Sequence, residues 1–287
     1  MFLYEIIESF AKKNNIIAGA CHAVPIDSAR LSASPFVPFV SSDLKKRTDP
    51  TLSLRGVESI IVIGVGHSPG FARLSSLGTN NDYHPRVKNL LCELTEELKT
   101  HSDFKYKILV DSPALDERAL AERAGLGFFG RNGLIISKKF GSRFNIGCLL
   151  TDLKPGDKRT IPLPYPTPVN CPPECDLCIK SCPTDALSGK NLNAAQCISY
   201  LTQKGELSCE EEKMLSGQLY GCDICQDVCP FNEKVQSVTI DPQEWLTMSD
   251  EDFQKKYGHT AMLWRGVKIP KRNAHIFTKN LEHNSTI

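Results

Sequence analysis

Apolar residues at positions 2, 3, 6, 7, 10 and 11 recur on one helical face, which predicts a helix over Phe2–Lys13. Ile16–Ala20 reads as the start of a short strand. Val57–Val65 is a nearly continuous β-branched run, the mark of a buried strand. Positions 87, 90, 91, 94 and 98 form the apolar stripe of an amphipathic helix over Pro85–His101. Lys107–Val110 then reads as a strand that delivers Asp111 at its C-terminal end, and Leu115–Ala124 as a helix. Leu134–Ile136 and Ile146–Leu150 look like a strand pair around the Lys138–Gly141 turn. Residues 24–56 carry no clear period and read as a long loop with small helical pieces. Prolines crowd residues 155–173 and suggest a boundary, and Asp241–Lys256 is again helical. Alternating strand and helix predict an α/β (α+β) domain over residues 1–160. A cysteine module over 161–240 and a helical extension over 241–287, packing on the core, complete the expected order.

Composition adds little to this outline. The 287 residues are 41% hydrophobic and 23% charged, ordinary values for a globular chain. A formal charge of +1 supplies no global steering toward nucleic acid. Met1–Glu5 lacks the cationic start and apolar core of an export signal, and no twin-arginine leader is present. No apolar run approaches the roughly 18–20 residues needed to cross a bilayer. The expectation is a cytoplasmic protein without a membrane partner.

The cysteines change the picture. Nine of the 12 fall between Cys171 and Cys229. Their pattern is Cys171-x3-Cys175-x2-Cys178-x3-Cys182-Pro183, then Cys197, then Cys222-x2-Cys225-x3-Cys229-Pro230. Two-cluster ferredoxins use closely spaced thiolates around one cubane, and the Cys before Pro ligates the neighbouring cluster. Cys171, Cys175, Cys178 and Cys229 are thus assigned to one [4Fe–4S] cluster, and Cys182, Cys222, Cys225 and one more Cys to a second. Cys197 is the candidate for that place. Cys209 follows Ser208, a residue placed to cap a helix, and is set aside. Paired zinc knuckles would have no use for the Cys-Pro ending of each run. Cys21, Cys92 and Cys148 read as small core residues.

Two clusters alone make a relay, so the first domain must use the electrons. Its glycine motifs mislead. Gly125-x-Gly127-x-x-Gly130 follows a helix, whereas a dinucleotide loop must follow a strand. Gly64-x-Gly66-x-x-x-Gly70 has the wrong spacing. Asp82-Tyr83-His84 begins a D-x-H-x-x-G cobalamin motif, but Val87 occupies the glycine position. Asp111 ends a strand, where ligands meet open sheets. It could be a proton donor in an apolar cavity or the cap of the helix that follows.

Several stretches resemble the epoxyqueuosine reductase family. They are Val110-Asp111-Ser112, Glu117–Gly127, Gly130-Arg131-Asn132, Phe140-Gly141-Ser142 and Leu150-Thr151-Asp152. Arg47–Pro50, Asp82–His84, Cys197–Thr202 and Tyr220–Pro230 extend the likeness, which covers about residues 10–275. That family is cobalamin-dependent and related to reductive dehalogenases. The resemblance implies base-off cobalamin and two clusters that feed electrons to Co(I), with reduction of epoxyqueuosine in tRNA to queuosine. It implies that Asp111 is the proton donor, that Tyr83 and His84 lie near the substrate, and that Arg47, Asn132, Ser199 and Asp223 contact the corrin. It places Cys197 in the second ligand set. An external low-potential donor such as a flavodoxin or ferredoxin, and tRNA as substrate, are the implied partners. Family members continue into a C-terminal helical-repeat domain, whose start Lys271–His275 resembles; this chain ends twelve residues later and reads as a short form. Two other readings are a cobalamin-dependent reductase of another small molecule and a cobalamin-free two-cluster electron carrier.

Overall fold

The computed structural model describes residues 3–32, 38–71, 73–155, 170–189, 191–233 and 240–284. Most of the proline-rich boundary, and part of the long loop after β1, lie outside them. The chain divides into two units, Met1–Gly66 with His84–Cys175, and His67–Tyr83 with Asp176–Ile287.

In the first unit, α1 (Leu3–Lys13) leads into β1 (Ile17–His22), followed by the short helices α2 (Ala29–Ser32) and α3 (Leu44–Thr48) and then β2 (Ser59–Gly66). The helix α4 (Ser76–Thr79) belongs to the second unit, and the amphipathic α5 (Tyr83–Lys99) follows it. The chain continues through β3 (Tyr106–Val110), α6 (Glu117–Arg123), β4 (Phe128–Phe129), β5 (Ile135–Ile136) and β6 (Phe144–Thr151). Four strands form one sheet in the order β1-β2-β6-β3, with every neighbouring pair antiparallel. The mixed class holds, in its antiparallel form.

Burial on both faces explains the unbroken apolar run of β2. Ile60 and Val62 pack with Cys148 and Leu150 of β6 and with Leu120 and Ala121 of α6. On the other face, Val87 and Leu91 of α5 sit over Gly147, with Ile63 beside them. The end of α6 also presses on β1. A Cβ on Gly19 would stand 2.0 Å from the Ala124 carbonyl oxygen, so this crossing requires glycine.

Two expectations are corrected here. The segments around residues 134–136 and 146–150 do not pair with each other. β5 pairs β4, while β6 is a central strand between β2 and β3. The turn between them holds only a Ser137–Gly141 bridge. Cys21 and Cys148 are buried as expected, but Cys92 is exposed. One residue past Leu91 turns the side chain about 100° off the buried stripe of Val87, Leu91, Leu94 and Leu98.

The second unit carries the cysteine module with α7 (Leu177–Lys180), α8 (Ile198–Leu201), α9 (Cys209–Met214) and α10 (Ile224–Asp227). Then come α11 (Pro242–Thr247), α12 (Asp250–Tyr257) and α13 (Lys268–Asn284). The helix expected over 241–256 is two helices, because Ser249 caps α12 through the Asp252 amide. Trp245, Phe253 and Tyr257 form an edge-packed aromatic core, and the Trp245 indole donates to the Tyr257 hydroxyl at 3.0 Å. Among the described residues no helix is long and apolar enough to cross a membrane.

Candidate functional site

Val110 pairs with Gly147 at the end of β3, and the chain turns sharply at the next residue. Asp111 has φ of 49°, left-handed backbone that costs a residue other than glycine about 1 kcal/mol or more. Its side chain is 69% exposed, and its Oδ2 lies 3.7 Å from Nε2 of His84 in the first turn of α5. Asp111 does not cap the next helix. Asp116 does, accepting from the amides of Arg118 and Ala119.

What holds the turn is a residue the sequence reading passed over. The Glu117 carboxylate folds back and accepts the Asp111 amide at 3.1 Å and the Ser112 amide at 3.0 Å. Burial pushes its carboxyl up to about 7, and the negative charges of Asp111 and Asp116 add to this; the two amide donors oppose it. In the sequence, a Glu in the first turn of a helix signals only a favourable helix dipole.

Arg47 in α3 and Asn132 in the loop after β4 meet the same framework. The Arg47 carbonyl accepts the Asp116 amide at 3.1 Å. Arg118 reaches the Gly133 carbonyl at 3.0 Å and the Asp116 carboxylate at 3.6 Å. The Asn132 Oδ1 accepts the Leu134 amide at 3.2 Å. Both residues keep one buried N–H group without a protein partner among the described residues, Nε of Arg47 and Nδ2 of Asn132. An unsatisfied buried donor costs about 1–3 kcal/mol. A ligand rich in amide and phosphate oxygens, as cobalamin is, would satisfy both.

Ser199 and Asp223, the other expected corrin contacts, lie in the second unit. Asp223 is buried and engaged by protein donors, the Ser76 amide at 2.9 Å and the Gln226 side chain at 3.0 Å. The Ser199 carbonyl accepts from the Thr202 hydroxyl and the Gln203 amide. Tyr83 opens α5.

Thiols of the second ligand set influence one another electrostatically. The Cys222 thiol lies within electrostatic reach of Cys197 and Cys182, and the Cys225 thiol within reach of Cys222 and Cys197. The backbone amides of Ser199 and Tyr200 donate to the Cys197 sulfur, and that of Ile224 to the Cys222 sulfur. Burial pushes Cys222 up to about 12 and Cys225 well above the usual thiol range. Thiolates are the metal-binding form, so loading a cluster releases their protons. Cys178 and Cys229 of the first set are buried in the second unit, where α7 packs on α10; Cys171 and Cys175 close the first unit. Cys209 begins α9, exposed, behind a capping box of Ser208 and Glu211.

The basic stretch near the C-terminus has a structural task. Asn273 is fully buried and donates to the Thr202 and Leu219 carbonyls, both at 2.8 Å. Arg272 orients it through Oδ1. The Thr202 hydroxyl in turn accepts the Gly221 amide at 2.9 Å. α13 therefore fixes the two segments that present Cys197 and Cys222. Asn273→Ala leaves two buried carbonyls unpaired and should cost about 2–4 kcal/mol, read by denaturant unfolding. A loss under about 0.5 kcal/mol would remove this role.

Residues 171–232 match the model of the 4Fe-4S double cluster binding domain. Residues 47–112 match that described as epoxyqueuosine reductase QueG, DUF1730. The chain is 36% identical to the epoxyqueuosine reductase of Staphylococcus aureus, over 82% of this chain and 67% of that protein. It is 35% identical to that of Lactococcus garvieae, over 87% of this chain and 76% of that protein. An epoxyqueuosine reductase bound to a tRNA-Tyr epoxyqueuosine-modified stem loop is similar with a TM-score of 0.79 and 29% identity, covering 96% of this chain and 81% of that one. The Bacillus subtilis enzyme, with its catalytic aspartate loop swung out of the active site, has a TM-score of 0.79, 28% identity and the same coverages.

Proposed function

Because the chain belongs to the epoxyqueuosine reductase family, we propose that it reduces the epoxide of epoxyqueuosine in tRNA to the alkene of queuosine, with Asp111 as proton donor. The observation that carries this reading is the Asp111 turn, a carboxyl pinned in strained backbone beside His84. Opening an epoxide to an alkene takes two electrons and two protons and releases the ring oxygen as water. The departing oxygen needs a proton as its C–O bond breaks, and Asp111 supplies it. His84 stands within reach of that carboxylate to orient it.

The eight module cysteines would hold two [4Fe–4S] clusters, Cys171, Cys175, Cys178 and Cys229 for one and Cys182, Cys197, Cys222 and Cys225 for the other. Clusters pass electrons singly, from an external low-potential donor such as a flavodoxin or ferredoxin. Cobalamin, when bound, supplies a cobalt centre reducible to a low-valent, strongly nucleophilic state. Arg47 and Asn132 would hold it through their buried N–H groups, with Ser199 and Asp223 as the further proposed contacts. Tyr83 and His84 would line the substrate. The domain limits 1–160, 161–240 and 241–287 and a cytoplasmic location, where tRNA is found, belong to the same proposal.

The test is anaerobic turnover. Protein loaded with clusters and cobalamin, given a strong reductant and epoxyqueuosine tRNA, should yield queuosine by nucleoside mass spectrometry. No product from fully loaded protein rejects the reading. Arg47→Ala and Asn132→Ala should each weaken cobalamin binding about five- to tenfold, by visible titration, with iron content unchanged. Wild-type affinity in both would remove them from the cobalamin site.

A further inference from the structure

We propose that Glu117 is the positioning residue of the reaction, a latch whose carboxylate holds the Asp111 turn in its working conformation. This rests on the reading of Asp111 as proton donor.

Asp111 sits in left-handed backbone with its side chain mostly exposed beside His84, so the turn gains from a contact that grips its backbone. Its amide and that of Ser112 point the same way, and one carboxylate takes both, Oε2 from Asp111 and Oε1 from Ser112. A pair of amides converging on one anion is a strong, geometrically specific contact. Glu117 is itself anchored at the start of α6, whose cap Asp116 is tied to Arg47 and Arg118 and whose far side packs on β2 and β6. The latch therefore joins a strained turn to the rigid core. In the Bacillus subtilis relative the catalytic aspartate loop has been seen swung out of its active site. A loop with two positions needs a contact that selects one of them.

The latch also senses pH. The groups facing Glu117 are Asp111 at the end of β3, Asp116 at the helix cap and the Cys148 thiol on β6; the cation beside them, Arg118, is paired with Asp116. Buried among acids, Glu117 ionises near 7 rather than in the usual carboxylate range. Above that pH both oxygens accept. Below it one oxygen carries a proton, and the grip on one amide is lost. The two amides hold the carboxyl below where burial alone would put it, so they favour the ionised form. Their grip weakens as pH falls to about 7 and below, while a proton donor works better as pH falls. The latch sets the acid side of the activity profile.

Glu117→Gln tests this, since glutamine keeps the shape but offers one acceptor and turns an NH2 toward the second amide. In cluster-loaded protein at pH 8, hydrogen exchange of the peptide covering Val110–Ala114 should quicken about tenfold or more, with α6 and β6 unchanged. With epoxyqueuosine tRNA, kcat should fall about ten- to a hundredfold at unchanged KM, and the acid limb near 7 should vanish. Glu117→Asp keeps the charge, so it should keep the limb, and it serves for the exchange measurement if the glutamine variant does not fold. Wild-type exchange and kcat in Glu117→Gln overturn the proposal. So does faster exchange spread evenly over α6 and β6, which marks a merely structural role. Asp111→Asn separates the parent reading: if that variant turns over normally, Asp111 is not the donor, whatever the exchange at Glu117 reports.

Discussion

Asp111→Ala should lower turnover of epoxyqueuosine tRNA by about a hundred- to ten-thousandfold, with iron content and cobalamin binding at wild-type levels. A positioned general acid lowers a barrier by about 3–5 kcal/mol at those factors. In the proposed reaction the acid would act where charge accumulates, on the oxygen leaving the epoxide, and water is a poor substitute for an oriented carboxyl. Binding should survive because the Asp111 side chain is mostly exposed and caps no helix. Its side chain is 69% exposed, the helix cap is Asp116, and its amide contact to Glu117 runs through the backbone. Alanine in left-handed backbone adds a small strain, so Asp111→Asn, which tolerates that region, is the control. The measurement is single-turnover product formation with parallel visible spectra. Activity within tenfold of wild type in both variants would remove Asp111 from the chemistry.

What could be read from the chain alone follows from how local the information is. The stripe of α5 and the unbroken run of β2 repeat along the sequence, and both elements lie where the pattern puts them. The cysteine module was legible because cubane ligation is written in spacing, and residues 171–232 match the double cluster binding domain. Strand pairing was not legible. Ile146–Leu150 looked like the partner of the preceding segment because a short turn lay between them, yet its register is set by β2 and β3, both distant in sequence. Cys92 was misplaced by one step around a helix. Glu117 and Asn273 were invisible for the same reason as the pairing. A helix-start glutamate and an asparagine in a basic stretch acquire their meaning only from the amides and carbonyls that folding brings to them. Asp111 stood between two readings in sequence, and the capping role fell to Asp116.

The second large effect concerns the electron supply. Cys197→Ala should cut iron from about eight atoms per chain to about four and reduce turnover to background, while Cys209→Ala should change neither. The two residues are twelve positions apart, and both lie between the paired runs, so spacing alone leaves a choice. Their surroundings differ. Cys197 is half-buried, its sulfur receives the amides of Ser199 and Tyr200, and it lies within electrostatic reach of the Cys182 and Cys222 sulfurs. Amides aimed at a sulfur stabilise its anionic, metal-bound form and are a means of tuning cluster potential. Cys209 is exposed in the first turn of α9, where the capping box accounts for the local sequence. With Cys197 as the proposed ligand, one iron of the second cluster would lose its protein ligand in the variant, and the relay would be cut between the donor and the substrate. Iron analysis with EPR of the reduced protein separates one cluster from two. Full iron in Cys197→Ala, or a lost cluster in Cys209→Ala, would move the eighth ligand from α8 to α9.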